Sequence, residues 1–378
     1  MHEELVRRAT DLGVYLGQNA ARIENEGRIP EDVRTALVDS GLFRITLPRE
    51  LGGYGLSPRT LWEVVFAIAA GCHSTAWVVS LVGANVLMLG RFARPAQAAI
   101  VESKNPVILT FLTGGVGENV LVTRVPGGVK VSGSWRYASG IDIATWTGLL
   151  VNFPGRDGEP PTPKVVLVPS SAFSVDHGSW NVTGMRGTGS KRASLTDTFA
   201  PDDFVLDWAE LQAGGGARAS LQSFPVNVLF AMSVLAPTLG VALAIADECR
   251  NLMRSRSSDK ASQIDLASSM ATLDLLRTNL LTDTASVVST IESGADVDVD
   301  LRALMRMKIA VSARLALQTA QGLLSQVGGS LLPRGTRIER AFRDIHAMST
   351  HFLLQPAPSG EAYGRLALGL DLPGGARL

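Results

Sequence analysis

Arg337, Asp344 and His351 stand seven residues apart in the stretch LPRGTRIERAFRDIHAMSTHFLLQP, from Leu332 to Pro356. Seven residues is close to two helical turns, so on one helix the three side chains share a stripe, with Arg340 beside them. Pro333 and Gly335 break the chain before this stretch and Pro356 ends it, which predicts a single helix over 337–354. Two cations, a carboxylate and an imidazole lie there among apolar Ile338, Phe342, Ile345, Phe352 and Leu353. An imidazole is the side chain whose charge changes near neutral pH, so such a face could wall a site where protons move. The same spacing also describes a solvated stripe of ion pairs, common on exposed helices. His346 is two residues from Asp344 and projects to another face, as a structural or exposed residue.

The elements that must position this stretch divide the chain in three. Leu5, Ala9, Leu12, Leu16, Ala20 and Ile23 recur at helical steps, Pro30 opens a second helix and Gly41 closes it. LPRELGGYGLSP (47–58) is a turn-rich loop, and 59–103 is helical again with a break near Arg94-Pro95. After Pro106 the pattern becomes short and β-rich: VILTFL, Val120–Val125, a Pro126-Gly127-Gly128 turn, VKVSGSWRYASG, TGLLVNF, KVVLVP, FSVDH and KRASLTDTFAP. GRDGEPPTP (155–163) reads as an exposed loop, and Ala213-Gly214-Gly215-Gly216 as a hinge. Helices are then expected over 224–255, 262–293, 298–328 and 337–354, an antiparallel bundle. The fold class expected is α+β: a helical domain (1–106), a β-barrel or sandwich domain (107–212) and a helical bundle (213–378).

Composition sets the limits. Of 378 residues, 46% are apolar and 19% charged, enough for a large core. Lys+Arg and Asp+Glu are both 35, so no net field attracts nucleic acid or an anionic membrane. Cys72 and Cys249 are too few and too far apart for a disulfide framework or a zinc site, and read as reduced core thiols of a cytoplasmic protein. No metal site is expected. MHEELVRRATDLG is a charged amphipathic start, unlike a signal peptide. The apolar region Leu61–Leu89 carries Glu63, His73, Ser74 and Asn85, and reads as buried helix in place of a membrane span. GGVG (114–117) and GGG (214–216) lack the dinucleotide fingerprint, so no nicotinamide site is expected on this chain.

The order of elements, with four short motifs, resembles the acyl-CoA dehydrogenase superfamily over nearly the whole chain. LPRELGGYG (47–55) is similar to the loop after that family's second helix. LTFLTGGVG (109–117) is similar to the segment that opens the β domain and lines the flavin, which makes Thr113 a flavin contact. GSWRYASG (133–140) resembles the second flavin segment, with Trp135 flanking the pocket, Tyr137 near the ring and Ser139 as a hydroxyl donor near its N5 edge. GMRGTGS (184–190) resembles the third, with Thr188 and Ser190 reaching the phosphate or ribityl chain. Arg256 matches a position that contacts cofactor phosphates across a subunit interface. Substrate-facing residues are implied in 72–85, 108–113 and 225–240, with His73, Trp77 and Phe111 as candidates.

The departures point to one branch. The dehydrogenases carry a glutamate shortly after an R-D pair. Here Arg343-Asp344 is followed by IHAMSTHFLLQP, with no glutamate before Glu361. An R-D, six residues and a histidine resemble the two-component flavin-dependent monooxygenases. That resemblance implies reduced FMN or FAD delivered by a separate NAD(P)H:flavin reductase, O2 as co-substrate, a C4a-hydroperoxide on the flavin, and a homotetramer. His351 would deprotonate a phenol or steady the peroxide, oriented by Asp344 or another helix neighbour, and the substrate would be aromatic or polyketide-like. An amino-sugar N-oxygenase, an acyl-CoA dehydrogenase and a non-catalytic flavin-fold binding protein are the alternatives.

Overall fold

The apolar repeat at the start of the chain forms one helix, α1 (His2–Glu26), closed by Gly27 at a φ of 60°. α2 (Glu31–Asp39) follows Pro30, and Gly41 turns the chain after it. α3 (Pro58–Ala69) is capped by Ser57, whose hydroxyl accepts the Arg59 N–H. α4 (His73–Met88) is buried on nearly every side. Pro95 lies in the first turn of α5 (Arg94–Val101), where a missing N–H costs nothing, so the expected break is a helix start. The computed structural model describes residues 1–378 apart from 104, 113–116, 156–159, 214–218, 255–258 and 332. Thr113, Arg256 and the Gly214–Gly216 stretch therefore lie outside the described residues.

The β-rich centre forms β1 (Leu109–Leu112), β2 (Glu118–Val125), β3 (Gly128–Ala138), β4 (Trp146–Phe153), β5 (Thr162–Pro169), β6 (Ser174–Asp176), β7 (Lys191–Pro201) and β8 (Val205–Asp207). They make two four-stranded sheets, β1-β4-β5-β8 and β2-β3-β7-β6. Val129, Val131 and Leu195 from one sheet share a core with Leu149, Val151 and Val166 from the other, the interdigitation of a sandwich. Pro126 and Gly127 join β2 to β3, with Val125 opposite Gly128. The pairing of β3 with β7 slips between Trp135 and Ala138, and there Tyr137 adopts a φ of 62°. This bulge turns the end of β3 toward the helices.

Beyond the sandwich come the short α6 (Trp208–Ala213), then α7 (Val226–Arg254), α8 (Lys260–Glu292) and α9 (Val299–Val327), which pack on one another. α10 (Arg337–Ser349) lies on α7 and α9, and α11 (Pro356–Ala367) on α9. Neither α6, β8 nor α11 is foreseen from the sequence. Pro237 stands inside α7 and has no N–H to give the Ser233 carbonyl. The Ser80 hydroxyl of α4 takes that place, donating to Ser233 O at 2.6 Å, and so fixes α4 against α7.

The single helix expected over 337–354 is cut short. The Ser349 and Thr350 hydroxyls donate to the His346 and Ala347 carbonyls, competing with the next helical N–H groups. Pro356 forces Gln355 into extended backbone. His351 therefore caps a short turn, Phe352–Leu354, off the helix that carries Asp344. Pro356 begins α11 instead of ending α10.

Two stretches, His73–Arg91 and Val226–Arg254, are long and apolar enough to cross a bilayer, and 89% of the most apolar 18-residue segment of each is buried within the fold. Cys72 and Cys249 are free and buried. Burial pushes the Cys249 thiol up to about 12, which leaves it unreactive.

Candidate active site

A cavity of about 760 Å³ opens where β1, the end of β3, the turn 183–190, α4, α7 and the segment after α10 meet. Its lining includes the rings of Trp77, Phe111, Phe230 and His351, and with them Trp135, Tyr137, Ser139 and Trp180. The rings of the first group are set edge to face: Trp77 against His351 at 5.5 Å and Phe111 against Phe230 at 6.1 Å.

His351 reaches this cavity from the turn, not from the helix. Its Nδ1 accepts the Leu353 N–H at 3.3 Å. A nitrogen that accepts carries no proton, so in the neutral ring Nε2 holds it and donates. Burial, and then the cation of Arg306, push the imidazole down to about 4. Arg306 is itself fixed close by, donating to Leu353 O at 3.0 Å. His351 is thus neutral at physiological pH and a donor to the cavity. A base that takes a phenol proton at Nε2 needs the other tautomer, with Nδ1 protonated, which the Leu353 N–H opposes.

Asp344 does not orient His351. One of its carboxylate oxygens lies 2.8 Å from His73 Nδ1, and the other accepts the Met185 N–H at 2.6 Å. Both side chains of the Asp344–His73 pair are buried. His73 is absent from the cavity wall, so its expected substrate contact is also corrected: it faces the helix behind the site. Arg337, Arg340 and Arg343 fasten the same helix. Arg337 donates to Ala70 O at 2.7 Å, and Glu24 of α1 bridges Arg340 and Arg343 at 2.7 and 2.6 Å. Burial works to raise the Glu24 carboxyl, but the two guanidiniums outweigh it and hold the group below its usual range. The stripe is split: His351 lies on the cavity wall, Arg337 is exposed, and Arg340 and Asp344 are buried. Its α10 part is a partly buried clasp between α10, α1 and the end of α3.

The glycine-rich segment 184–190 serves close approach. A Cβ on Gly184 would fall 2.3 Å from the Arg343 carbonyl oxygen, and one on Gly187 2.4 Å from the Ile23 side chain. These gaps let the turn lie directly on α10 and α1. Thr188 and Ser190 do border the cavity, but their hydroxyls point along the wall: Ser139 to Ser190 at 2.7 Å, Ser190 to Thr188 at 2.7 Å, and Thr188 to Met185 O at 2.8 Å.

Several features suit a flat heteroaromatic group such as a flavin ring. Trp135 is 2% exposed, and its Nε1–H has no partner among the described residues. A Cβ on Gly117 would come within 2.6 Å of that atom, so only bare backbone fits beside it. Tyr137 and Trp180, also on the cavity wall, meet edge to face at 6.1 Å. Trp180 and Phe230 were missed as individuals. Trp180 sits in the polar turn SWNVTG, which gives no periodic signal, and Phe230 is one apolar residue among many on α7.

Two family models match this chain: the N-terminal domain of acyl-CoA dehydrogenase over residues 2–100 and its C-terminal domain over 232–356. The chain belongs to the acyl-CoA dehydrogenase superfamily. Within that superfamily it is a homologue of monooxygenase oxygenase subunits over nearly its full length. It is 28% identical to the flavin-dependent monooxygenase oxygenase subunit HsaA of Rhodococcus jostii, across 94% of this chain and 96% of the relative. It is 29% identical to the oxygenase component of an FADH2-dependent resorcinol hydroxylase from a Rhizobium species, across 99% and 96%. The crystal structure of 3-HSA hydroxylase from a Rhodococcus species superposes with a TM-score of 0.91 at 26% identity, covering 99% of both chains.

Proposed function

We propose that this chain is the oxygenase component of a two-component flavin-dependent monooxygenase, and that it hydroxylates an aromatic small molecule, phenolic or polyketide-like. The observation that carries this reading is one cavity lined by a neutral histidine donor, by aromatic rings, and by an indole N–H that has no partner among the described residues. Reduced FMN or FAD, received from a separate NAD(P)H:flavin reductase, supplies the electrons that activate O2. Trp135, Tyr137, Ser139 and Trp180 would hold it.

The chain's own residues then do three things. Trp77, Phe111 and Phe230 take the substrate ring and keep water out. His351 Nε2–H donates to an oxygen on the substrate and so fixes which ring position faces the bound flavin. The apolar walls lower the local dielectric and strengthen that bond. The dehydrogenase alternative finds no unpaired carboxylate on this wall among the described residues. Among the described residues, Glu118 is the carboxylate that borders the cavity, and Arg192 and Arg136 hold it ionised. An amino sugar would find few polar partners on the aromatic wall.

The reading carries a homotetramer and a cytoplasmic location, where NAD(P)H is at hand. Ile264 and Leu275 on α8, 54% and 70% exposed, would be covered in an assembly. Sedimentation of the purified protein measures that state.

The test is to mix the protein with anaerobically reduced FMN or FAD and then with isotopically labelled dioxygen and simple phenols. One labelled oxygen atom in a hydroxylated product supports the proposal. Label found only in hydrogen peroxide, with flavin reoxidising as it does free in solution, overturns it.

A further inference from the structure

The three hydroxyls along the cavity wall have one consistent set of proton positions. Ser139 Oγ and Ser190 Oγ are 2.7 Å apart, Ser190 Oγ and Thr188 Oγ1 2.7 Å, and Thr188 Oγ1 and Met185 O 2.8 Å. Oxygens this close repel unless a proton lies between them. There are three contacts and three hydroxyl protons, and the carbonyl brings none. Thr188 must therefore donate to Met185 O, Ser190 to Thr188, and Ser139 to Ser190. The Met185 carbonyl at the end of the run is held by the Thr188 N–H and the Trp180 Nε1–H, each at 3.2 Å. Thr188 and Ser190 are 1% and 5% exposed, so water has little access to reverse the order.

Ser139 stands at the cavity end and has spent its only proton inward. Toward the cavity it offers lone pairs alone. This differs from the donor expected at that position from the sequence. It also discriminates between ligands, because a group facing Ser139 must bring its own N–H or O–H. A flavin changes in that respect with oxidation state. Its ring nitrogen N5 is a bare acceptor when oxidised and an N–H donor when reduced.

We propose that the Thr188–Ser190 pair selects the reduced flavin, by holding Ser139 as an acceptor that welcomes N5–H and opposes a lone pair. Thr188 and Ser190 are positioning residues and act through Ser139. The proposal rests on the reading of the cavity as a flavin site. It gives a physical reason for an oxygenase to take up reduced flavin and let the oxidised product go.

The experiment is anaerobic titration of the full chain with oxidised and with dithionite-reduced FMN and FAD. Wild type is compared with Thr188→Val, Ser190→Ala and Thr188→Ser. Removing either hydroxyl frees the Ser139 proton to turn toward the cavity. The ratio of oxidised to reduced dissociation constants is expected to fall about tenfold in Thr188→Val and in Ser190→Ala, the worth of roughly one hydrogen bond. Most of the change should be tighter oxidised binding, and Thr188→Ser should restore the wild-type ratio. An unchanged ratio in both variants overturns the proposal and leaves the flavin reading standing. A parallel loss of both affinities marks a merely structural role and overturns it too. A wild-type chain that binds neither redox form overturns the flavin reading and this proposal together. Ser190→Ala is the smaller change and decides the matter by itself should Thr188→Val not fold.

Discussion

His73 is buried and His351 partly buried, and each has one ring nitrogen bonded within the protein, yet their surroundings differ in kind. His73 lies against a carboxylate that also accepts a backbone N–H, so the partner of its Nδ1 is tied in turn to another part of the fold. His351 gives its Nδ1 to a backbone donor and keeps Nε2–H for a cavity with aromatic walls. The contrast teaches how to sort buried polar groups. One whose bonds close on the protein holds structure together; one with a free bond aimed into a cavity is available for chemistry.

The sharpest way to break that contrast is to remove both groups in turn. His351→Ala should lower turnover by about 10²–10³-fold, the usual loss of one well-placed donor, with thermal unfolding close to wild type. His351→Gln returns an N–H near the Nε2 position and should recover to within about tenfold of wild type in steady-state assays. Should Gln be as inactive as Ala, the ring serves as a base after all. Asp344→Ala should show the opposite signature. It strands the His73 ring and the Met185 N–H, at a cost of about 2–4 kcal/mol measured by chemical denaturation.

A smaller effect follows from the titration of His351. Its pKa is about 4 in the fold and ~6.5 in the unfolded chain. Between those values the unfolded state takes up a proton that the native state refuses. Stability is therefore full above pH ~6.5 and falls as the pH drops toward 4, by up to about 3 kcal/mol. Urea unfolding of wild type and His351→Gln over that range should differ by this slope, since carboxylates such as Glu24 titrate in both. Turnover should show no inflection near pH ~6.5 that belongs to His351. The least effect is expected for Arg337→Ala, which loses one exposed contact to Ala70 O. Its melting temperature and turnover should be hard to tell from wild type, whereas a large loss of activity would return Arg337 to the site.

Much of this arrangement was legible in local patterns. The periodicity of α1, the Pro126-Gly127 turn and the long helices after Pro225 each depend on near neighbours. The three flavin-like segments stand in the expected order along the chain, and Trp135, Tyr137 and Ser139 border one cavity. What failed was the assumption that a seven-residue spacing continues one helix to His351. The hydroxyls of Ser349 and Thr350 and the proline at 356 break it, and their combined effect is a matter of competition for carbonyls. The partner of Asp344 lies 271 residues away, a distance that no spacing rule reaches. β8 has three residues, too few to show alternation. The acceptor character of Ser139 depends on a carbonyl three hydroxyls away, so residue type by itself suggested a donor.

The break after Ser349 has a consequence for how such a protein can diversify. The helix before it is tied down by Asp344 and its arginines, and the helix after it starts afresh at Pro356. The span 350–354 is thus a cassette between two independently fastened ends. Substitutions there can re-aim or replace the group that meets the substrate while the clasp on α1 and α3 stays as it was. Directed evolution toward new aromatic substrates would do well to begin its libraries at those five positions.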